Sequence, residues 1–303
     1  MIDYMDEDVA YLLGMLVARG ELLFHEGVYR VVVHFPKGHL MAQGINTTFD
    51  ADKEIRLGID TVRERLIELL GTDVKTVESG ESSWDLVAAA TRNTMAWRNI
   101  SMLLEGRTDF PHFSVPEVLM LDETPVEYKR EFVRGYADVA GNIRPSNVDE
   151  AGRHRLRLDT LNYASNWRVP VDVCLLLQEH LGVAVRNITW GHPNLGRAWK
   201  EHQLNVYPEE FLGVGFCFQH KQAVLEELAG VNQKRFATNV KGCPGVRRRG
   251  PDKPKSPEEE NAERLDAVLV GKHFGGYWQI CKALGCPRKP VPGEQLEMVI
   301  EDE

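Results

Sequence analysis

The chain has 303 residues, 43% of them hydrophobic and 27% charged, which is the make-up of an ordinary soluble globular protein with room for two or three small domains. Collagen-like, disordered and disulfide-scaffold classes are excluded, and no run approaches the ~18 consecutive apolar residues of a membrane span. The formal charge is −9, from 36 basic against 45 acidic residues, which argues against indiscriminate attraction to polyanions.

The start, Met1 to Asp8, is acidic where a secretory signal would be basic, so the chain is expected to be cytoplasmic. Asp8 to Arg19 is apolar almost all round, which predicts a helix buried on more than one side and ended by Gly20. Glu21–Phe24 and Gly27–Phe35 read as a hairpin bending near Gly27, with Tyr29, Val31, Val33 and Phe35 inward and Arg30, Val32 and His34 outward. Lys53–Leu70 carries Ile55, Leu57, Ile59, Val62, Leu66 and Leu69 at helical spacing. Two strands are expected within Val74–Glu78 and Trp84–Thr91, and a helix around Trp97–Leu104 closes the unit. Gly106–Pro125, with Pro111, Pro116 and Pro125, reads as a linker.

The order then begins again. Val126–Val139 predicts a helix stopped by Gly141, and His154–Asp159 alternates as a strand. Pro170–Leu181 is a helix with proline near its first turn, Val183–Trp190 and Lys200–Tyr207 are a strand pair, and Pro208–Ala229 holds a last helix. Two passes at a period of roughly 120 residues predict an α+β architecture of two αββαββα repeats. The expected units are residues 1–110, a linker at 111–125, residues 126–230, and a C-terminal extension at 231–303.

The two entry helices share a pattern. Leu12 to Gly20 and Val133 to Gly141 both place glycine at the third and ninth positions, and Gly14/Gly135 and Gly20/Gly141 share an offset of 121 residues. A mid-helix glycine lets two backbones approach closely, and the terminal one turns the chain into a sheet. In this pattern, and above all in Phe132-Val133-Arg134-Gly135-Tyr136-Ala137-Asp138 followed by Gly141, the chain resembles the single-chain, two-repeat LAGLIDADG homing endonucleases over residues 5 to 230.

The resemblance implies that the two motif helices pack about a pseudo-two-fold axis in a monomer and that each repeat's antiparallel sheet forms half of a saddle over double-stranded DNA. Strand side chains would then enter the major groove. The residues placed for that are Arg155, Arg157 and Asp159 on one strand, with Arg186, Arg197, Lys200 and His202 on its neighbours. Arg30, His34 and Lys37 are the thinner equivalents in the first repeat. Each of these is as readily a solvated strand residue.

The resemblance also implies one acidic residue at the eighth motif position of each helix, the pair holding divalent metal such as Mg²⁺ at the scissile phosphates. Here those positions are Arg19 and Ala140. Alanine offers no ligand and a guanidinium repels a cation. The nearest acids, Glu21 and Asp138, stand two residues away. Loss of the family's phosphodiester chemistry is therefore expected.

Charge is segregated along the chain. Ala151 to Lys255 holds sixteen basic and nine acidic residues, a net of +7, which leaves −16 for the rest. Such a field steers a polyanion to one face. Beyond Val231 the composition becomes rich in proline and charge, and Arg247, Arg248 and Arg249 in an extended basic loop suit phosphate contact. Two Gly-Cys-Pro tripeptides bracket this extension, and Cys243, His273, Cys281 and Cys286 are a candidate tetrahedral zinc set, the alternative being buried free cysteines. Cys217 and His220 are either substitutes in that set or core residues, and Cys174 reads as core. Five cysteines, an odd number, suggest no oxidised framework.

No phosphate-binding loop, nucleophile elbow or zinc-protease motif occurs. The expectation is a sequence-specific duplex DNA-binding protein, with an endonuclease using relocated acids and an RNA-binding, maturase-like or architectural protein as alternatives. Protein partners are left open.

Overall fold

The computed structural model describes residues 5–80, 83–91, 93–149, 151–161, 168–189 and 201–236. Helix α1 (Glu7–Arg19) starts at Asp6, whose carboxylate accepts the Val9 amide at 2.8 Å, and its first turn carries Glu7 and Asp8, favourable charges at a helix N-terminus. Gly20 opens β1 (Gly20–His25), which turns through Glu26 and Gly27 into β2 (Val28–Pro36). Both turn residues have positive φ, 51° and 77°, the twist a tight hairpin needs. A single turn, α2 (Lys37–Leu40), leads to α3 (Ala51–Leu70), β3 (Val74–Ser79), β4 (Ser83–Ala90) and α4 (Met95–Leu103).

After the short α5 (Glu117–Met120), the second pass runs α6 (Val126–Ala140), β5 (Gly141–Val148), β6 (His154–Leu161), α7 (Val169–Leu175) with a π-helical turn at Leu176–His180, β7 (Val185–Thr189), β8 (Glu201–Val206), α8 (Pro208–Phe211) and α9 (Gln219–Phe236). The two sheets are antiparallel, with orders β1-β2-β4-β3 and β5-β6-β8-β7. The second order is the first repeated, so the chain has the α+β, two-sheet architecture expected from its repeat.

Each sheet buries one face. Leu22, Val31, Val33, Phe35, Leu86 and Ala88 point into the core from the first, and Ile143, Leu156, Leu158, Ile188, Leu204 and Val206 from the second. Both sets belong to one continuous core with the residues of α1 and α6. These two helices pack backbone to backbone. A Cβ built on Gly14 would stand 2.0 Å from the Phe132 carbonyl oxygen, and one on Gly135 would stand 2.1 Å from that of Tyr11. Phe132 and Tyr11 are themselves equivalent positions at the repeat offset, so the contact is reciprocal, as a pseudo-two-fold axis between the helices requires.

Several segments depart from the sequence reading. The stretch read as a linker is packed: Leu22 donates its amide to Thr108 O at 2.7 Å and Phe110 donates to Gly20 O at 2.9 Å, which extends the edge of β1. Its apolar residues Phe113, Val115 and Leu119 are buried between the prolines. Strand β5, Gly-Asn-Ile-Arg-Pro-Ser-Asn-Val, has no apolar alternation and holds Pro145, so nothing in its sequence predicts a strand. It is an edge strand with a bulge between Ile143 and Val148, where a residue without an N–H is tolerated. Leu57, placed on the apolar face of α3, is 52% exposed. The last helix runs on to Phe236.

Candidate functional site

Register decides what the face of each sheet opposite the apolar core carries. On β6, Leu156 and Leu158 are fully buried, so Arg155, Arg157 and Asp159 point the other way. Across the sheet, Asn142 pairs with Arg157, Arg157 with Asn205, and Asn205 with Asn187. One row of that face therefore reads Asn142, Arg157, Asn205, Asn187. Asp159 pairs with Gln203 in the adjacent row.

Arg155 and Arg186 add to this face. The Arg155 guanidinium is held below its ordinary pKa by burial and by repulsion from Arg157 and Arg186. Like charges are crowded on this part of the sheet, with Asp149 opposing them. Arg186 is braced by Asp149 at 2.8 Å, and the Asp149 carboxyl lies below its ordinary range, its hydrogen bonds and Arg186 outweighing the burial that opposes them.

Asp159 is the least available of the predicted set. It is almost wholly buried, and its Oδ2 lies 3.4 Å from His39 Nε2 of the first repeat. His202 corrects the sequence reading. It pairs with Thr160 on the same face as Leu204 and Val206, is buried in the core, and is pulled down to about 4 by that burial. Its neighbours Gln203 and Asn205 point to the opposite face, Gln203 half-buried and Asn205 buried, the Asn205 amide donating to Gln203 O at 3.3 Å. The alternation with Leu204 and Val206 carried that signal, but without β5 and the partner strands it had no reference face. Arg197, Lys200, Arg247, Arg248 and Arg249 lie outside the described residues.

The first sheet differs. His34 Nδ1 bonds Asp85 at 2.9 Å and its Nε2 lies 3.6 Å from Glu21, while Lys37 donates to Glu78 at 2.6 Å. Of the three basic residues assigned here, Arg30 is exposed, and the other two are engaged with carboxylates.

At the base of the helix pair, Arg19 is the buried last residue of α1, where its charge suits the helix C-terminus, and Ala140 ends α6. Asp138 does not reach toward a ligand. It accepts the Tyr11 hydroxyl at 2.7 Å and the Cys217 amide at 3.1 Å, and is fully buried. Burial pushes its carboxyl up to about 6, partly offset by Lys221. Lys221, also fully buried, donates to the carbonyls of Ala137 and Asp138 at 3.0 and 2.9 Å, and burial pulls it down to about 8.

A divalent cation needs several hard oxygen donors facing one point. Arg19 and Ala140 supply none, Asp138 is turned to Tyr11 and Cys217, and Glu21 lies beside His34. The residues at the positions where the resemblance implies acids, Arg19 and Ala140, do not fit a divalent metal. Among the described residues no group of three or more histidine, cysteine or acidic side chains is placed to hold one. The zinc set Cys243, His273, Cys281 and Cys286 lies outside the described residues. His220 donates to Leu40 O at 2.8 Å, and Cys174 is a buried core thiol pushed up to about 12. Among the described residues no helix is long and apolar enough to cross a membrane.

No protein-family model matches the chain, and no curated protein matches it. Among solved structures it is similar to a variant of I-DmoI in complex with its target DNA in the presence of manganese, at 19% identity over 68% of this chain and 91% of that one, with a TM-score of 0.41. It is also similar to full-length DUF199/WhiA from Thermatoga maritima, at 15% identity over 80% of this chain and 63% of that one, TM-score 0.41. With the N-terminal LAGLIDADG domain of DUF199/WhiA the figures are 14% identity, 76% of this chain, 85% of that one and a TM-score of 0.37. What the chain shows for itself is two four-stranded antiparallel sheets of the same strand order, joined through a glycine-packed helix pair.

Proposed function

We propose that this protein binds duplex DNA sequence-specifically, as a monomer, across the sheet faces opposite the apolar core, and does not cut it by the two-carboxylate route. The observation that carries the reading is a row of the second sheet in which Arg157, Asn142 and Asn187 are half-buried, with the buried Asn205 between Arg157 and Asn187. Arginine pairs in bidentate fashion with guanine O6 and N7, and asparagine with adenine N6 and N7, on the major-groove edge. The groove is wide enough for β-strands, and Arg155 and Arg186 beside the row supply attraction to phosphate. The net +7 of residues 151–255 gives that half the longer-range pull, and Arg247–Arg249 would add phosphate contacts. For the extension, zinc held by Cys243, His273, Cys281 and Cys286 is part of the proposal and is tested by metal analysis of the purified protein.

Absence of cleavage rests on Arg19 and Ala140 at the acid positions and on the engagement of Asp138. The second reading, an endonuclease with a moved acid, has Asp159 in its favour. That carboxylate follows Leu158, the strand partner of Gly141, and so stands next to the end of α6. Plasmid and linear DNA should remain intact with protein and Mg²⁺ or Mn²⁺, and metal-dependent cutting that Asp159→Asn abolishes would establish the second reading. Binding measured against salt on duplex DNA and on structured RNA should favour the duplex, and a preference for RNA would overturn the proposal.

A further inference from the structure

The two repeats finish the core side of their sheets differently. Tyr29 and His154 each stand four residues before the strand partner of the glycine that opens the sheet, Val33 for Gly20 and Leu158 for Gly141, so they are equivalent positions near the hairpin end. In the second repeat α9, eighteen residues long, lies over that end. Asn232 accepts the His154 amide at 2.9 Å and donates to its carbonyl at 3.0 Å, and Arg235 reaches Gly152 O in the turn at 3.5 Å. His154 is buried beneath it.

In the first repeat the helix that follows the sheet, α4, has nine residues. It meets Tyr29 through Trp97 in its first turn, with ring centroids 5.0 Å apart, and Phe24 extends the file at 4.5 Å from Tyr29. Phe24 is 60% exposed, although it shares the core-side face of β1 with the buried Leu22. The rings border an apolar groove lined by Tyr29, Val31, Leu70, Ala88, Ala90 and Trp97. Adjoining aromatic rings over an apolar floor form a surface that the apolar face of a helix can cover.

We propose that the segment Ser256–Gly271 of this same chain docks there as a helix, the counterpart of α9 on the second sheet. The segment lies outside the described residues, and its sequence carries helix signals: Ser256 and Pro257 at the start, Glu258 to Glu260 behind them, and Gly271 at the end. Ala262, Leu265, Val268 and Leu269 share one helical face, with Glu259, Glu263 and Asp266 on the other. Arg30 and Arg98 stand exposed at the border of the groove, complementary to those acids, with Glu26 beyond them in the turn.

The reach is sufficient. α9 ends at Phe236, beside Arg153 at the hairpin end of the second sheet, and nineteen residues, 237–255, precede Ser256. Extended, they span about 65 Å. The path from one hairpin end to the other follows β2 and β6 through the His39–Asp159 contact, and those strands laid end to end measure about 58 Å. Docking of the segment fastens the basic run Lys241–Lys255 at both ends.

Photo-crosslinking in the full chain tests this. Phe24→p-benzoylphenylalanine exchanges one exposed aromatic side chain for another, so the fold is retained. On irradiation each molecule should crosslink within itself, to a peptide from residues 256–271. In a mixture of isotopically heavy and light protein, every crosslink should join fragments of one isotope. Leu265→Asp/Leu269→Asp changes residues outside the two repeats. It should abolish the crosslink and speed amide exchange at residues 24–30 and 95–98 several-fold, with exchange within α1 and α6 unchanged.

Crosslinks between heavy and light chains would give the groove to a second copy and overturn the proposal. Crosslinks to other segments, no crosslink, or unchanged exchange in the aspartate variant would overturn it as well. Each of these outcomes leaves the DNA reading untouched.

Discussion

The Tyr11 hydroxyl donates to Asp138 Oδ2 at 2.7 Å, across the seam between α1 and α6. The carboxyl is fully buried and raised from its ordinary 3.8 to about 6. The folded protein therefore holds this proton more tightly than the unfolded chain does. The stability that Asp138 contributes is present in full below about pH 4 and is lost as pH rises to about 6, by up to about 3 kcal/mol at about 1.4 kcal/mol per tenfold change in proton affinity. Asp138→Asn should remove that slope. The melting temperature of the variant relative to the parent protein should rise between pH 4 and pH 6, and a constant difference would show that the group does not titrate there.

The glycines of the helix seam are expected to be intolerant. Gly14→Ala or Gly135→Ala places a methyl within about 2 Å of a backbone oxygen on the facing helix, so the helices must separate. A cost of about 3 kcal/mol or more is expected, at the upper end of overpacking effects. Gly38→Ala enters open space and should stay within about 0.5 kcal/mol of the parent in urea unfolding.

The repeats are also joined by a carboxylate. Glu227 on α9 accepts the Asn46 amide at 2.7 Å and the Thr47 hydroxyl at 2.6 Å, with weaker bonds from the Ile45 and Thr47 amides. Glu227→Ala leaves these donors without an acceptor and should cost about 1–3 kcal/mol. Hydrogen exchange should quicken at Ile45, Asn46 and Thr47 while the amides within α1 stay protected.

Arg157 stands at the centre of the proposed reading row. Arg157→Ala should weaken binding to a duplex selected by the protein from a random library by about tenfold or more and relax preference at one base position. Arg186→Ala should lower affinity for all duplexes alike and flatten the salt dependence. An equal, sequence-independent loss in both variants would assign Arg157 to phosphate contact.

Fold and site were legible to different depths. The apolar runs of α1, α3 and α6 and the alternation of β2 and β6 determined those elements, because burial of one face imposes its period on the residues. The glycine spacing at Gly14 and Gly135 determined that the entry helices meet, because only a missing side chain lets backbones come that close. The polar strand β5 was invisible, since its place depends on β6 holding it at the sheet edge. The alternation of Leu156 and Leu158 sets Arg155 and Arg157 outward, and the same alternation with Leu204 and Val206 puts His202 in the core, a face that becomes definite only once β8 is paired with β6.

The sequence by itself determined a twice-repeated α+β plan, the identity of the residues at the acid positions, and the concentration of positive charge in the second half. Only the tertiary structure decided that Asp138 is spent on Tyr11 and Cys217 and that Asn142 and Asn205 flank Arg157. The physical reason is range. Hydrophobic period and backbone permissiveness are local properties of the chain, while a site is made by register between strands that lie tens of residues apart.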